Sequence, residues 1–288
     1  MKKSTTKKNE VNKYFRLFSQ ILFFTIILIT AIIHSLAEKG MEVKVPFFSN
    51  ASLHSLCPFG GVVSVYKLIT EGTFVQKIHE SSFVLLAIVI VLSILFGSVF
   101  CGFVCPFGSV QEWIGKLGKI IFKKRFNKFI PSKYDKYFRY FRYVVLLWVV
   151  YITAKTGTLV FANIDPYHAL FTFWTGEVAI QALIFLIVVI ILSFIIERPF
   201  CKYFCPLGAF VGLFNLIRIF KIKRNPSYCI SCKKCNSVCP MNIDVHSKEV
   251  INDPQCVTCL QCSSEISCPV ENTIVFETRR GIKNENKY

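Results

Sequence analysis

Acidic residues are scarce in the 288-residue sequence, where 17 Asp and Glu stand against 34 Lys and Arg. The chain also has no separate basic patch of the kind that binds nucleic acid, because its Lys and Arg residues flank long apolar runs. Basic flanks of this kind orient a membrane protein and attract anionic lipid headgroups. We therefore exclude nucleic acid as a partner and expect contact with membrane lipid.

Polar surface is scarce as well, since 53% of the residues are hydrophobic and 29 residues are Phe. A soluble fold of this size could not bury that much apolar surface, whereas membrane spans can expose it to lipid. Crossing the hydrocarbon takes about 20 residues. Four apolar runs approach this length, at 17–36, 83–100, 143–161 and 178–196. Lys155 interrupts the third run, and we expect its side chain to reach the far interface.

Lys and Arg are absent from the loop at 163–177, between the third and fourth runs. The N-terminal segment 1–16, the loop between the second and third runs and the tail are strongly basic, whereas four Lys are matched by four Glu in the first loop. Positive charge marks the cytoplasmic side. The pattern predicts a multi-pass protein of a bacterial plasma membrane with both termini in the cytoplasm. A cleaved signal peptide is the alternative for the first run, although its length favours a retained anchor.

An internal repeat follows the second and fourth runs, where the motif Cys-x3-Cys-Pro occurs twice. Its cysteines are Cys101, Cys105, Cys201 and Cys205. An amphipathic stretch follows each copy, at 110–125 and 209–224, and a partial copy begins at Cys57. We expect an all-α membrane domain at 17–220, with about four transmembrane helices in two duplicated halves that meet at these turns.

Eight more cysteines form two ferredoxin-type motifs in the tail. The run Cys-x2-Cys-x2-Cys-x3-Cys-Pro begins at Cys229, and a second run, with five residues before its last Cys, begins at Cys256. In two-cluster ferredoxins the fourth Cys of such a run ligates the other cluster. The spacing therefore predicts two [4Fe–4S] clusters, one held by Cys229, Cys232, Cys235 and Cys268 and the other by Cys256, Cys259, Cys262 and Cys239.

Apolar and polar residues alternate at 220–224 and 273–278, as they do in half-buried strands. We expect these strands to bracket a C-terminal α+β ferredoxin domain of the bacterial two-cluster type at 221–288. A zinc module is the alternative, because Cys-x2-Cys pairs also bind zinc. Three cysteines in each run, with Pro after the last one, argue for iron and sulfur. Thiolate ligands of this kind need a reducing compartment, which again places the tail in the cytoplasm.

The four cysteines of the repeat have two interpretations. At a spacing of four, each pair lies on one helix face, and two such pairs form a four-thiolate site for an additional metal. The alternative is that they are inert buried thiols, because free Cys packs as a small hydrophobe.

Candidate residues also occur in the predicted outer loops. They are His54, Cys57, Asp165 and His168. A His and a carboxylate there could exchange protons with a quinol, or the residues could ligate a metal. The ordinary alternative is that they are surface or structural residues.

The whole pattern resembles the membrane polyferredoxin family. The resemblance covers about 17–278 and rests on four spans, paired Cys-x3-Cys-Pro turns and a C-terminal two-cluster ferredoxin. That family includes the membrane subunit of the quinol dehydrogenase that serves periplasmic nitrate reductase, and the membrane half of the nitrous-oxide-reductase regulator. The resemblance implies electron transfer between a quinol or cytoplasmic donor and a partner outside the membrane. The flavin-binding outer domain of that regulator has no counterpart here, because the outer loops are too short.

The leading hypothesis is a membrane-bound iron–sulfur electron-transfer protein. It passes electrons between the tail clusters and a quinol or redox partner protein, as the electron-transfer subunit of a quinol dehydrogenase-type oxidoreductase would. A second hypothesis resembles the cupric reductases, since soft thiolates favour Cu(I). A third is a redox regulator or assembly factor without turnover. The direction of flow stays open, because cluster potentials span roughly −700 to +450 mV.

Overall fold

The computed structural model describes residues 3–38, 80–156, 164–173, 178–265 and 267–278. The predicted candidates His54 and Cys57 lie outside these ranges. Within them the chain forms α1 (Lys3–Glu38), α2 (Glu80–Phe96), α3 (Pro106–Phe122), α4 (Ser132–Phe138), α5 (Phe141–Thr156), α6 (Pro166–Thr172), α7 (Ile180–Ser193), α8 (Pro199–Tyr203), α9 (Pro206–Leu213), β1 (Phe220–Arg224), α10 (Lys234–Ser237), β2 (Val250–Ile251) and β3 (Ile274–Thr278).

Helices occupy all four predicted apolar runs, but they differ in length. Among the described residues one helix is long and apolar enough to cross a membrane, and its apolar part is Tyr14–Ile33 in α1. Helices α2, α5 and α7 have 17, 16 and 14 residues. At a rise of 1.5 Å per residue, α7 extends about 21 Å, which is less than the ~30 Å of a bilayer's hydrocarbon core. Four complete spans therefore stay a prediction.

The outward faces of these helices are nevertheless apolar. Val84 of α2 is 60% exposed, Leu147 of α5 is 71% exposed and Ile180 of α7 is 63% exposed. Large apolar patches of this kind are rare on soluble proteins and mark surfaces that contact protein or lipid.

Each Cys-x3-Cys-Pro motif forms a short helical turn and then starts a new helix. The first turn is a π-helical segment, Phe100–Val104, and the second is α8. Cys105 and Cys205 are the N-caps of α3 and α9 and have extended backbone, with ψ of 113° and 111°. The following Pro disfavours the helical conformation in the residue before it. The prediction that each pair shares one helix face is therefore wrong.

The stretches after the two motifs also differ from each other. The predicted amphipathic stretch 110–125 is formed by helix α3 and the 3-10 turn Lys123–Arg125. In the second copy α9 ends at Leu213, and the predicted stretch 209–224 is divided between helix, turn and strand. Tertiary structure explains why the second stretch does not form one helix, because β1 pairs with two other strands there.

Reciprocal hydrogen bonds join the two halves of the repeat. The side-chain oxygen of Gln111, in α3, accepts from the backbone N–H of Phe200 at 3.1 Å. The side-chain oxygen of Asn215, which follows α9, accepts from the backbone N–H of Ser98 at 3.1 Å. Each half thus binds the backbone of the other half's cysteine turn.

Helix α6 folds back into the helical domain from the loop between α5 and α7. It packs on α7 and α1, and it buries Ala169 and Phe171. Asp165 caps its N-terminus, and its Oδ1 accepts from the backbone N–H of Tyr167 at 3.0 Å. This part of the predicted outer loop is therefore packed inside the bundle.

The tail forms a small antiparallel sheet in the order β2-β1-β3. Ile222 at its centre lies opposite Ile251 and Phe276 and is 1% exposed. The two strands predicted from alternation, at 220–224 and 273–278, pair with each other, and the second begins at Ile274. The sheet stands on the helices at one end, where Phe220 stacks on Phe96 of α2 at 5.0 Å.

A buried carboxylate ties α1 to both cysteine turns. Glu112 of α3 accepts hydrogen bonds from Arg16 and, at 2.6 Å, from Arg198. Arg198 also donates to the carbonyl oxygen of Cys101 at 2.6 Å, and Arg16 donates to that of Gly102 at 3.3 Å. The two positive charges hold the pKa of Glu112 below its ordinary value despite its burial.

We expect the substitution Glu112→Gln to lower the free energy of unfolding by about 3–5 kcal/mol, because it leaves two buried guanidinium groups without a carboxylate. Thermal unfolding in detergent measures the loss. The matched control is Glu277→Gln on β3, whose half-exposed side chain lies 3.9 Å from Lys223. That exposed pair contributes less than about 1 kcal/mol, so equal losses in the two variants would contradict the assignment.

Candidate iron–sulfur centre

Four cysteines of the tail line one cavity. They are Cys229, Cys232, Cys235 and Cys268. Three come from the first sequence run and the fourth from the end of the second run. Arg224 and His246 stand at the same cavity, and the Nδ1 atom of His246 lies 3.9 Å from the sulfur of Cys229.

The other four cysteines line a second cavity. They are Cys239, Cys256, Cys259 and Cys262. Buried apolar residues, among them Ile222, Met241 and Val257, complete its wall. Each cavity thus collects one of the two ligand sets that the exchange rule predicts.

The thiols surround these cavities without converging on a point. Among the residues that the structure describes, no three Cys, His, Asp or Glu side chains stand close enough to hold a single metal ion. A structural zinc site needs four ligands within about 2.3 Å of one ion. A cubane, whose irons lie apart from one another, needs its thiolates spread around a cavity. The arrangement fits a [4Fe–4S] cluster better than it fits zinc.

The backbones of the two cysteine loops adopt the same unusual conformation. Ser231 and Lys233 in the first loop have φ of 56°, and Thr258 and Leu260 in the second have φ of 47° and 56°. These residues occupy equivalent positions, two and four residues after the first Cys of each run. Left-handed residues other than Gly are uncommon and cluster at functional sites. Successive N–H groups in such loops form anion-binding concavities that occur at iron–sulfur sites.

The electrostatic setting of the second cavity also favours a bound cation. Burial, followed by the charge of Cys259, raises the pKa of Cys239 and of Cys262. Four thiolates packed together in an apolar wall repel one another unless metal ions compensate their charge. In the first cavity the N–H of Ser231 lowers the pKa of Cys229.

The cysteine turns of the helical domain lie directly against the second cavity. Cys101 and Cys201 pack in the same core as Cys239, Cys256 and Cys259. The contact is closest at Gly102, where a Cβ atom would lie 2.5 Å from the carbonyl oxygen of Val257. A side chain at position 102 would thus push the second cysteine loop away from the turn.

Cys105 and Cys205 lie on the other side of the turns, in an aromatic core with Phe107 and Phe200. All four thiols of the repeat are close enough to interact electrostatically. Two receive hydrogen bonds at sulfur, Cys205 from the backbone N–H of Gly208 at 3.2 Å and Cys201 from Gln111 at 3.6 Å.

Two buried arginines face the thiols of Cys101 and Cys201. Both Arg142 and Arg198 interact electrostatically with these sulfurs. Among the described residues, the Nε atoms of these two arginines and of Arg218 are buried without a hydrogen-bond partner. Buried donors near four thiols suit a site that carries negative charge.

Asp165 lies beside the cysteine turns and not at the far end of the helices, where the sequence pattern placed it. Its carboxyl group interacts electrostatically with the thiol of Cys105. Burial raises the pKa of Asp165 to about 7. The difference from the prediction follows from α6, which brings the loop back between α1 and α7. His168, one helical step further on, has its Nδ1 atom 3.3 Å from the hydroxyl of Thr172.

Polar contacts that the sequence did not predict fix the tail on the helices. Arg139 donates to the carbonyl oxygen of Met241 and Arg142 to that of Pro254, both at 2.9 Å. Arg218 donates to the carbonyl oxygen of Ile251 at 2.5 Å, and Asn215 donates to that of Cys256 at 2.7 Å. In the sequence these arginines count only as cytoplasmic charge. The sequence does carry one signal: these positions beside the apolar runs are Arg, although Lys would supply the same charge there.

Comparisons with known proteins agree with the geometry. A family model described as a 4Fe-4S binding domain matches the chain twice, at 78–127 and 178–225, and so covers both copies of the repeat. A model described as a 4Fe-4S dicluster domain matches 221–269. No solved structure matches the chain.

Several curated proteins are similar over most of this chain. MJ0750 of Methanocaldococcus jannaschii is 33% identical over 73% of the chain and 82% of its own length. YccM of Escherichia coli, a protein named for electron transport, is 29% identical over 80% of the chain and 65% of its own length. The ferredoxin-type protein NapH of Haemophilus influenzae is 27% identical over 67% of the chain and 66% of its own length. The chain thus spans slightly less than two thirds of YccM and of NapH.

These matches confirm the resemblance that the motifs suggested. Iron–sulfur binding domains cover both the turns and the tail, and the relatives include the ferredoxin-type protein NapH. The chain belongs to the family of membrane ferredoxin-type proteins with 4Fe-4S binding domains.

Proposed function

We propose that this protein transfers electrons between two [4Fe–4S] clusters in its cytoplasmic tail and a quinol or redox partner protein that acts at the membrane. The observation that carries the proposal is the packing of the cysteine turns, through Cys101, Cys201 and Gly102, directly against the second four-cysteine cavity. Electron-transport and ferredoxin-type relatives support the same general activity.

Four membrane spans with both termini in the cytoplasm are part of the proposal. The apolar outward faces of α1, α2, α5 and α7 support it, as does the alternation of basic and non-basic loops. Helices shorter than the hydrocarbon core are accommodated by local thinning of the bilayer or by flanking residues that reach the interface. In this arrangement the membrane domain occupies 17–220 and the ferredoxin domain 221–288.

The eight cysteines of the tail would hold the clusters, which supply one-electron chemistry when bound. The protein's own contribution is to position them. Ile222 and Val257 exclude water from the second cavity, and the N–H of Ile243 donates to the sulfur of Cys239 at 3.4 Å. Such hydrogen bonds, together with burial, tune the reduction potential of a cluster.

Quinol oxidation releases two protons together with two electrons, so a quinol site needs a group that accepts protons. We assign this role to Asp165, whose pKa of about 7 lets it exchange a proton near neutral pH. Its carboxyl group interacts electrostatically with the thiol of Cys105. His168 on the next turn of chain is the second candidate for the same role.

A copper-reducing function is the second candidate. The grouping of the four turn thiols favours it, because soft thiolates select Cu(I). The unpartnered Nε atoms of Arg142 and Arg198 also suit an additional anionic metal–thiolate group there.

The exchange of ligands between the two runs predicts an unusual pattern of cluster loss. We expect Cys239→Ala and Cys259→Ala each to remove about half of the bound iron, because both thiols line the same cavity. The double variant Cys239→Ala/Cys259→Ala should lose no more iron than either single variant. Iron and sulfide analysis of anoxically purified protein, with electron paramagnetic resonance of the reduced state, measures the loss.

The matched comparison is Cys235→Ala/Cys259→Ala, whose thiols line different cavities and whose combination should remove nearly all the iron. Equal iron contents in the two double variants would show that the ligand sets are not exchanged. Zinc in place of iron and sulfide in the unaltered protein would overturn the proposed function itself.

The close approach at Gly102 should matter for electron exchange with the membrane. We expect Gly102→Ala to slow reoxidation of the reduced tail by a menaquinone analogue at least about 10-fold, because the added methyl group displaces the second cysteine loop. Gly208→Ala is the matched control from the other half of the repeat, since its Cβ would meet no atom closer than 3.4 Å. Stopped-flow absorbance follows the rate, and unchanged iron content shows that the variant is loaded.

The turn thiols discriminate the two candidate functions. We expect the variant Cys101→Ser/Cys201→Ser to keep most of its electron exchange with the menaquinone analogue if the protein serves quinol, and to lose reduction of Cu(II) if copper is its substrate. The measurement compares reoxidation of the clusters by a menaquinone analogue and by Cu(II). Fast reoxidation by copper alone in the unaltered protein would replace the leading proposal with the second.

A further inference from the structure

The two cavities differ in what covers them. The helical domain covers the second cavity, where Gly102 meets Val257 and Asn215 donates to the carbonyl oxygen of Cys256. The first cavity opens at Cys232, which is the exposed cysteine among the twelve that the structure describes. A soluble protein can therefore approach the first cavity closely at Cys232.

The opening of the first cavity lies far from the helical domain. Strand β1 begins at Phe220, which stacks on Phe96 of α2, and ends at Arg224, which lines the first cavity. Four steps of a strand at about 3.3 Å each place these two residues roughly 13 Å apart. The opening thus lies at the end of β1 away from α2, and in the proposed topology this end faces the cytoplasm.

Two exposed apolar side chains stand near the opening. Ile230, which lines the cavity, is 62% exposed, and Tyr228 just before Cys229 is 55% exposed. Every residue from Ile230 to Lys234 is exposed. An exposed apolar centre beside a cofactor cavity marks a surface that binds another molecule.

The segment 220–234, which forms most of this surface, has only positively charged side chains. Residues 220–234 contain five Lys and Arg and no Asp or Glu. Lys233 and Lys234 are exposed, and Arg224 and Lys233 line the cavity itself. Two exposed acidic side chains occur on neighbouring segments: Asp244, which accepts a hydrogen bond from Asn236 at 2.6 Å, and Glu271, which follows the cavity-lining Val270. Arg224, Lys233 and Lys234 leave the rim with a net positive charge. A surface of this kind attracts a partner of opposite charge and speeds the encounter.

We propose that this surface, made of Arg224, Tyr228, Ile230, Cys232, Lys233 and Lys234, docks an acidic soluble one-electron carrier protein on the cytoplasmic side. The inference rests on the proposed function and adds to it the place and the chemical class of the cytoplasmic partner. Transient redox encounters use small interfaces, below about 1,200 Å² in total. A few lysines around an apolar centre are sufficient for such an interface.

The test uses the full chain, loaded with iron and sulfide under anoxic conditions and held in detergent. The probe is a plant-type [2Fe–2S] ferredoxin of net negative charge, and its dissociation constant is measured by biolayer interferometry at low and high salt. We expect binding that weakens as salt rises, because exposed charges are screened. The variant Lys233→Glu/Lys234→Glu should weaken binding at low salt at least about 10-fold.

The matched control is Lys133→Glu/Lys136→Glu on α4, which makes the same change of charge at two other exposed lysines. It should change the dissociation constant less than about 2-fold, because it lies away from the opening. Equal weakening by both variants would mean that the probe responds only to overall charge, and the docking surface would be refuted. Lys233→Ala/Lys234→Ala repeats the test with smaller changes if the reversed charges reduce loading.

A second arm separates a protein partner from lipid. Vesicles that contain phosphatidylserine are sedimented with the same variants. Loss of vesicle binding with unchanged ferredoxin binding would overturn the proposal and assign the lysines to lipid. Iron content and chemical reduction by dithionite are measured in parallel. Loaded, reducible clusters without ferredoxin binding would refute the docking surface alone, whereas absent clusters would refute the proposed function.

Discussion

Buried arginines that donate to backbone carbonyls hold the cysteine loops of the tail on the helices. Arg139, Arg142 and Arg218 each bind a carbonyl oxygen of the tail, next to the second cavity. Hydrogen bonds to charged groups contribute about 1.5–3 kcal/mol each. The positions of the thiols in the second cavity therefore depend on arginine side chains of the helical domain. The fold can be understood as a rigid support for that cavity.

Local pattern predicted those parts of the protein that local chemistry determines. The spacing of the tail cysteines gave ligand sets that line separate cavities, and alternation at 220–224 and 273–278 predicted two strands that pair. The apolar runs predicted helices at the right places. These features depend on a few neighbouring residues, which is why a single sequence is sufficient for them.

Other features depend on residues far apart in the chain, and local pattern could not predict them. The ion pairs of Glu112 join residues that are 96 and 86 positions away. The return of α6 into the bundle depends on its packing against α1 and α7, so local pattern could not predict that Asp165 lies near the thiol of Cys105. The proline after each second cysteine does give a local signal. Its effect on the preceding residue removes Cys105 and Cys205 from the helix face that a spacing of four suggests.

The duplicated turns differ at several positions, and the difference between Gly102 and Lys202 separates their tasks. Gly102 in the first turn lets the backbone of the second cysteine loop approach. Its counterpart Lys202 has a long side chain that turns away and binds Asp135 at 2.8 Å. Two copies of one motif have thus become unequal, one a contact surface for the tail and the other a brace within the helical bundle. The symmetry of the sequence repeat is therefore broken where the ferredoxin domain rests.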